Sequence, residues 1–208
     1  MTHQPWNVPA RIETERLVVR RYTAKDAPAL HEVTLANVPH LLPWMAWAHK
    51  EPQTLQQRHE LIDFFTAECD AGRDYTLGMF RRADGEYLGG TGYHLSGNNL
   101  EIGYWLRNDA QGQGIVTEAA AALTHVALRH LGSSHIEAKI VPHNLRSRAV
   151  VQRLGYSLTD TRVGPCGGEE VLHELWVMTA ADFPTSVAGG YPRPLIYDDA
   201  DSEVPWLT

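Results

Sequence analysis

Two glycines one residue apart, in Gln111-Gly112-Gln113-Gly114-Ile115-Val116-Thr117-Glu118, follow a strand-like run at 100–106 and open an alanine-rich helix. That order of residue types suits phosphate. Glycine lets the backbone bend and approach a ligand closely, and the first amides of a helix have no partner inside it and point at an anion. The expected chemistry is pyrophosphate binding by main-chain N–H groups. Spacing excludes two familiar nucleotide loops: there is no Gly-Lys-Ser/Thr ending and no third glycine of a dinucleotide fingerprint. The glycines alone leave open a tight turn that binds nothing.

The elements that must position this turn are legible in apolar periodicity and in turn residues. Alternating or β-branched runs predict strands at 16–22, 75–81, 87–95, 100–106, 136–141, 156–163 and 171–178. Asp84-Gly85 and Ser96-Gly97-Asn98-Asn99 predict hairpin turns, and 164–168 connects the last two strands. Helices are expected at about 26–37, with Asp26 as cap, and at about 53–71, where Leu55, Leu61, Ile62, Phe64 and Phe65 form a stripe. A third runs from about 113 to 130, and a fourth lies between Asn144 as N-cap and Gly155 at its end. The order β-α-α-β-β-β-α-β-α-β-β defines an α+β fold with a mixed, mostly antiparallel sheet flanked by helices. One domain is expected over 1–183. Beyond it, 184–208 is a Pro- and acid-rich tail, either disordered or extended on the surface.

Bulk properties narrow the partners. A chain of 208 residues with 43% hydrophobic and 21% charged residues can bury a proper core. A net charge of −7 argues against a general nucleic-acid binder and tolerates a cationic acceptor such as an amine. The N-terminus lacks the pattern of a signal peptide, no stretch has the length of a membrane span, and Cys69 and Cys166 form no Cys-x-x-Cys pair. The cytoplasm is the expected compartment. His125, His130 and His135 share no helical face with an acidic ligand, so no metal is expected.

With this order of elements the chain resembles the GNAT superfamily of N-acetyltransferases, and within it the RimJ/RimL type. The resemblance rests first on Glu101-Ile102-Gly103-Tyr104-Trp105-Leu106 followed by Gln111 to Ala119. It rests next on Asn144-Leu145-Arg146-Ser147-Arg148-Ala149-Val150-Val151-Gln152-Arg153-Leu154-Gly155-Tyr156. The opening at 15–20 and the Leu42-Pro43-Trp44 loop add weaker support. The resemblance implies acetyl-CoA as co-substrate, its diphosphate held by the amides of Gln111, Gly112, Gln113, Gly114, Ile115, Val116 and Thr117. It also implies that the strands at 100–106 and 136–141 splay to hold the pantetheine arm. Asn144 would tie the second strand to the cofactor, or serve as a plain helix cap.

Acetyl transfer needs a neutral amine, a polarised carbonyl and a proton for the leaving thiolate. Many relatives supply that proton from a tyrosine, whose position here is Val151. Ser147, in the first turn of the same helix, is the replacement that the resemblance suggests, against a role in bonding the backbone. Glu101 is the candidate base, relaying a proton through water, or else a solvated strand residue. Trp44 and Trp47, with Leu42 and Met45, correspond to an acceptor-lining loop, although tryptophans so spaced also build cores. His173 lies where relatives carry a polar residue facing the acceptor. The implied acceptor is a protein N-terminal α-amine or a small amine, and a homodimer is compatible. A non-catalytic acyl-CoA sensor or interaction module is the rival reading, favoured by the missing tyrosine.

Overall fold

The computed structural model describes residues 6–166 and 169–206; of the connection expected at 164–168, residues 167 and 168 lie outside them. Strands β1 (Arg11–Glu13) and β2 (Leu17–Arg20) come first, then helices α1 (Ala27–Leu41) and α2 (Leu55–Asp70). The meander β3 (Asp74–Arg81), β4 (Tyr87–Ser96) and β5 (Asn99–Leu106) leads into α3 (Ile115–His125), which ends in a wide π turn over Val126–His130. After it come β6 (His135–Ile140), α4 (Leu145–Leu154), β7 (Ser157–Cys166), β8 (Glu169–Thr179) and the short β9 (Leu195–Tyr197). One sheet contains all nine strands in the order β7-β8-β6-β5-β4-β3-β2-β1-β9. Every pairing is antiparallel except β5 with β6.

The two-residue turn Gly97-Asn98 fixes the β4–β5 register, pairing Ser96 with Asn99 and His94 with Glu101; Gly97 supplies the positive φ of 59° that such turns require. Because strand side chains alternate, Leu100, Ile102 and Tyr104 face α3 and α4, whereas Glu101, Gly103 and Trp105 face α1 and α2. The first face packs on Ala119 to Leu123 of α3, all buried. Four consecutive alanines let the helix lie close to the strands, and Tyr93 donates its hydroxyl to Leu123 O at 2.6 Å. On the other face Trp105 packs with Tyr22, Leu30, Ile62 and Phe80.

Several expectations are corrected. The strand expected at 16–22 is β2, and a short strand not expected from the sequence, β1, precedes it. The segment after 184 packs into the domain: a 3-10 turn covers Ala188–Gly190, β9 pairs with β1, and Ala188 and Ile196 are fully buried. Asp26 stands at the N-cap of α1 without capping it; its carboxylate instead accepts from the Thr23 amide and from Arg20. Leu55 and Phe64 of α2 are exposed, while Arg58 is buried in an ion pair with Glu51 at 2.6 Å. The helix is capped by Thr54, which accepts from Gln57 N.

Glu118, in the first turn of α3, ties that helix to the β1–β2 turn. It accepts from Thr14 Oγ1, from Arg16 N at 3.0 Å and from Arg16 Nε at 2.6 Å. The carboxylate is 10% exposed and sits at the positive end of the helix. Glu118→Ala therefore strips three donors of a charged acceptor and should cost about 2–3 kcal/mol. Urea unfolding measures this; a loss below about 1 kcal/mol contradicts the clamp.

Candidate active site

β5 and β6 pair only at Leu100 with Ile136 and at Glu101 with Glu137. Beyond that point β5 continues against β4 as far as Leu106, and β6 continues against β8 as far as Ile140. Their facing edges therefore part, and a slot opens in the sheet. It widens into a cleft of about 1690 Å³, lined by Ile102 to Trp105 on one wall, Ala138 to Val141 on the other, and the glycine turn at its end.

In that turn Gly112 has φ of 74° and Gly114 of 75°, the left-handed region that glycine enters without a Cβ penalty. Gly114 is the N-cap of α3, no side chain caps the helix, and Glu118 N bonds Gly114 O at 3.0 Å. The amides of residues 115–117 come before that bond and have no intrahelical acceptor. Side chains brace the turn from outside. Arg16 Nη1 donates to Gln113 O at 2.8 Å, and Arg146 Nη1 donates to Gln111 Oε1. Gln111 Nε2 donates to His40 Nε2 at 2.6 Å. Burial and then the Arg146 charge lower the His40 pKa, which favours the neutral, accepting ring. The Thr117 hydroxyl is buried and accepts from Arg153 Nη1 at 3.2 Å, so its own hydrogen remains available to donate.

At the β6 side, Asn144 Oδ1 accepts from Ser147 N at 3.2 Å, the capping interaction that the sequence suggests. Ser147 Oγ donates to the Tyr104 hydroxyl at 3.1 Å. The sequence reading gave Tyr104 no role, although its even position on β5 turns it toward α4. Burial pushes its phenol up to about 12, with the Ser147 bond acting in the opposite sense. Val151, at the position of the relatives' tyrosine, is buried in the core.

Glu101 lies on the opposite face of β5 from Tyr104, and its Oε2 accepts from Lys139 Nζ at 2.6 Å. The same row of the sheet carries two residues that sequence reasoning missed, His94 on β4 and Asp74 on β3, each register partner to the next. His94 Nδ1 and Asp74 Oδ1 are 2.5 Å apart. Trp47 packs tilted at 5.7 Å from Trp105, Trp44 tilted at 5.1 Å from His143, and both tryptophans line the cleft with His173. One cleft thus gathers Glu101, Ser147, Asn144, Trp44, Trp47, His173 and the turn at 111–117, apart from Gln113, which is not among its lining residues. Among the described residues no three His, Cys, Asp or Glu side chains converge on a metal position, and no helix is long and apolar enough to cross a membrane.

The fold and this cleft define an acetyltransferase of the GNAT kind, and the chain belongs to that family: the acetyltransferase (GNAT) domain model matches residues 16–157. It is similar to the ribosomal protein uS5-alanine N-acetyltransferase of Escherichia coli, 30% identical over 158 residues that cover 72% of this chain and 80% of that enzyme. Mycobacterium smegmatis RimJ, solved in complex with a CoA disulfide, superposes with a TM-score of 0.68 at 29% identity, covering 89% of this chain and 90% of RimJ. RimL, a ribosomal L7/L12 alpha-N-protein acetyltransferase solved with coenzyme A, gives 0.72 at 20% identity over 83% of this chain and 97% of its own, and shares the fold. The protein is therefore an acyltransferase of RimJ/RimL-like type with acetyl-CoA as co-substrate. The non-catalytic reading is set aside.

A side chain at position 112 would meet open space, yet φ there disfavours any L-residue and a β-branched one most. Gly112→Val should thus redirect the turn's amides without a clash inside the protein. We expect CoA affinity to fall on the order of tenfold by calorimetry, as about 1–2 kcal/mol of left-handed strain implies. An unchanged Kd would remove this turn from the binding site.

Proposed function

We propose that this protein transfers acetyl from acetyl-CoA to an α-amine, that of a protein N-terminus or a small molecule, by direct attack in a ternary complex. The observation that carries the reading is the slot between β5 and β6 with an uncapped helix N-terminus at its end. The residues present fit acetyl-CoA. Amides at 111–117 suit its diphosphate, and the unpaired edges of 102–106 and 138–141 offer main-chain partners to the pantetheine arm. Asn144, in the turn between β6 and α4, closes that wall.

Acetyl-CoA, when bound, supplies an activated acetyl group, and the chain's own residues do the rest. Ser147, backed by the Tyr104 phenol, places a hydroxyl on the α4 side of the slot, where negative charge on sulfur would gather near a helix N-terminus. Glu101 faces the other side, where Trp44, Trp47 and His173 border the acceptor, and can pass a proton through water. The two groups address opposite faces of β5, so leaving group and incoming amine never compete for one space.

An α-amine acceptor is supported by the similarity to an enzyme that acetylates an alanine of ribosomal protein uS5, and by arithmetic. With a pKa of about 8, roughly a tenth of an α-amine is neutral at pH 7, against roughly one in 2,500 for a lysine near 10.4. A site that relays protons through water suits the first better than the second.

A thiol-release assay with N-terminal peptides, lysine peptides and polyamines tests the reading; α-amine peptides should be preferred. Ser147→Ala and Glu101→Gln should each lower kcat on the order of tenfold or more while CoA affinity holds. Unchanged turnover in either variant removes that residue from the chemistry.

A further inference from the structure

We propose that His94 is the final acceptor of the proton lost by the amine, and that Asp74 is its positioning residue. The inference rests on the acetyltransferase reading and deepens it. Glu101 alone is an incomplete base, because one of its oxygens is already engaged by Lys139 at 2.6 Å. A carboxylate held against an ammonium ion gains little by taking a proton. Its neighbour across the β4–β5 ladder has no such restraint.

The hairpin register sets Asp74, His94 and Glu101 side by side on three successive strands, all on the cleft face. Ionised Asp74 can only accept, so His94 Nδ1 carries the hydrogen of their 2.5 Å bond. That fixes the tautomer and leaves Nε2 as the lone-pair nitrogen. Nε2 lies over Gly103 on the slot wall, 3.0 Å from where a Cβ at that position would stand. Gly103 is thus the one residue of this stretch of β5 whose missing side chain keeps the imidazole nitrogen open to the slot. The imidazole is half exposed, so a proton can leave for bulk water after each cycle.

In the transfer step the amine nitrogen forms a bond to the acetyl carbon as the carbon–sulfur bond breaks. The proton shed by nitrogen passes through a solvent water beside Glu101 to His94 Nε2. The sulfur departs with the electron pair and takes the proton of the Ser147 hydroxyl, which turns from Tyr104 to deliver it and recovers one from solvent. The products are an amide and a thiol, and His94 returns its proton to water.

The charged groups facing His94 are Asp74 on β3, Glu101 on β5 and Lys139 on β6. The Asp74 hydrogen bond raises its pKa above the ordinary 6.5, burial opposes this, the Asp74 and Glu101 charges add to it, and Lys139 detracts. Neutral His94 is the active form, so turnover should climb as pH rises through that raised value.

The test is the pH profile of kcat for the wild type, His94→Gln and Asp74→Asn with acetyl-CoA and an N-terminal peptide, alongside an NMR titration of the His94 ring in the free proteins. The acceptor's own titration near pH 8 is common to all three and cancels in their ratios. His94→Gln should lose on the order of a hundredfold and its ascending limb, with unchanged CoA affinity. Asp74→Asn should move both the limb and the NMR titration to lower pH. Turnover of His94→Gln within about twofold of wild type, or a limb that stays put in Asp74→Asn, overturns the assignment. Absence of thiol release by the wild type itself is a different result: it would defeat the acetyltransferase reading, and this assignment with it.

Discussion

The parting of β5 and β6 after two register pairs is the constraint on which the rest depends. Parallel neighbours cannot be joined by a tight turn and need a crossover of a dozen or more residues. Here α3 is that crossover. It starts at the C-terminal end of β5, where the strands separate, so its free amides arrive at the end of the slot. Backbone groups on the two parted edges need partners from water or ligand. One topological fact therefore creates the opening, lines it with hydrogen-bonding groups and sets a positive helix end beside it.

Precision comes from packing on either side. Alanines 119–122 seat α3 against the strands, and Glu118 with Arg16 and Thr14 locks the helix start to the β1–β2 turn, so the glycine loop is braced at its back. On the other side the tryptophans of the loop after α1 pack toward β5 and the start of α4. The sheet thus separates two environments. A helix end and hydroxyls lie on one side; a row of acid, imidazole and ammonium groups lies on the other.

Local signals made much of this legible. The glycine turn, the Asn144 cap, the Gly155 stop and the hairpin residues are each read from a few adjacent letters, because each answers a local need for positive φ or for an amide acceptor. What escaped depends on distant pairing. β1 and β9 have three residues each, too few for alternation to register, and β9 sits in a segment whose composition suggests a tail. Arg58 stands in an apolar stripe, where buried Glu51 and the Gln53 amide explain it. Tyr104 and His94 carried a signal that could have been followed: counting outward from Gly97-Asn98 sets His94 beside Glu101 and turns Tyr104 to the helix face. Asp74 needed one more strand of register, which the sequence alone leaves open.

The account stands on main-chain N–H groups at the start of α3 meeting a diphosphate. A crystal structure with coenzyme A bound measures this most directly. The prediction is diphosphate oxygens at about 2.7–3.2 Å from amides within 111–117, with the pantetheine arm between 102–106 and 138–141. Coenzyme A bound elsewhere, with this turn left to water, would contradict it.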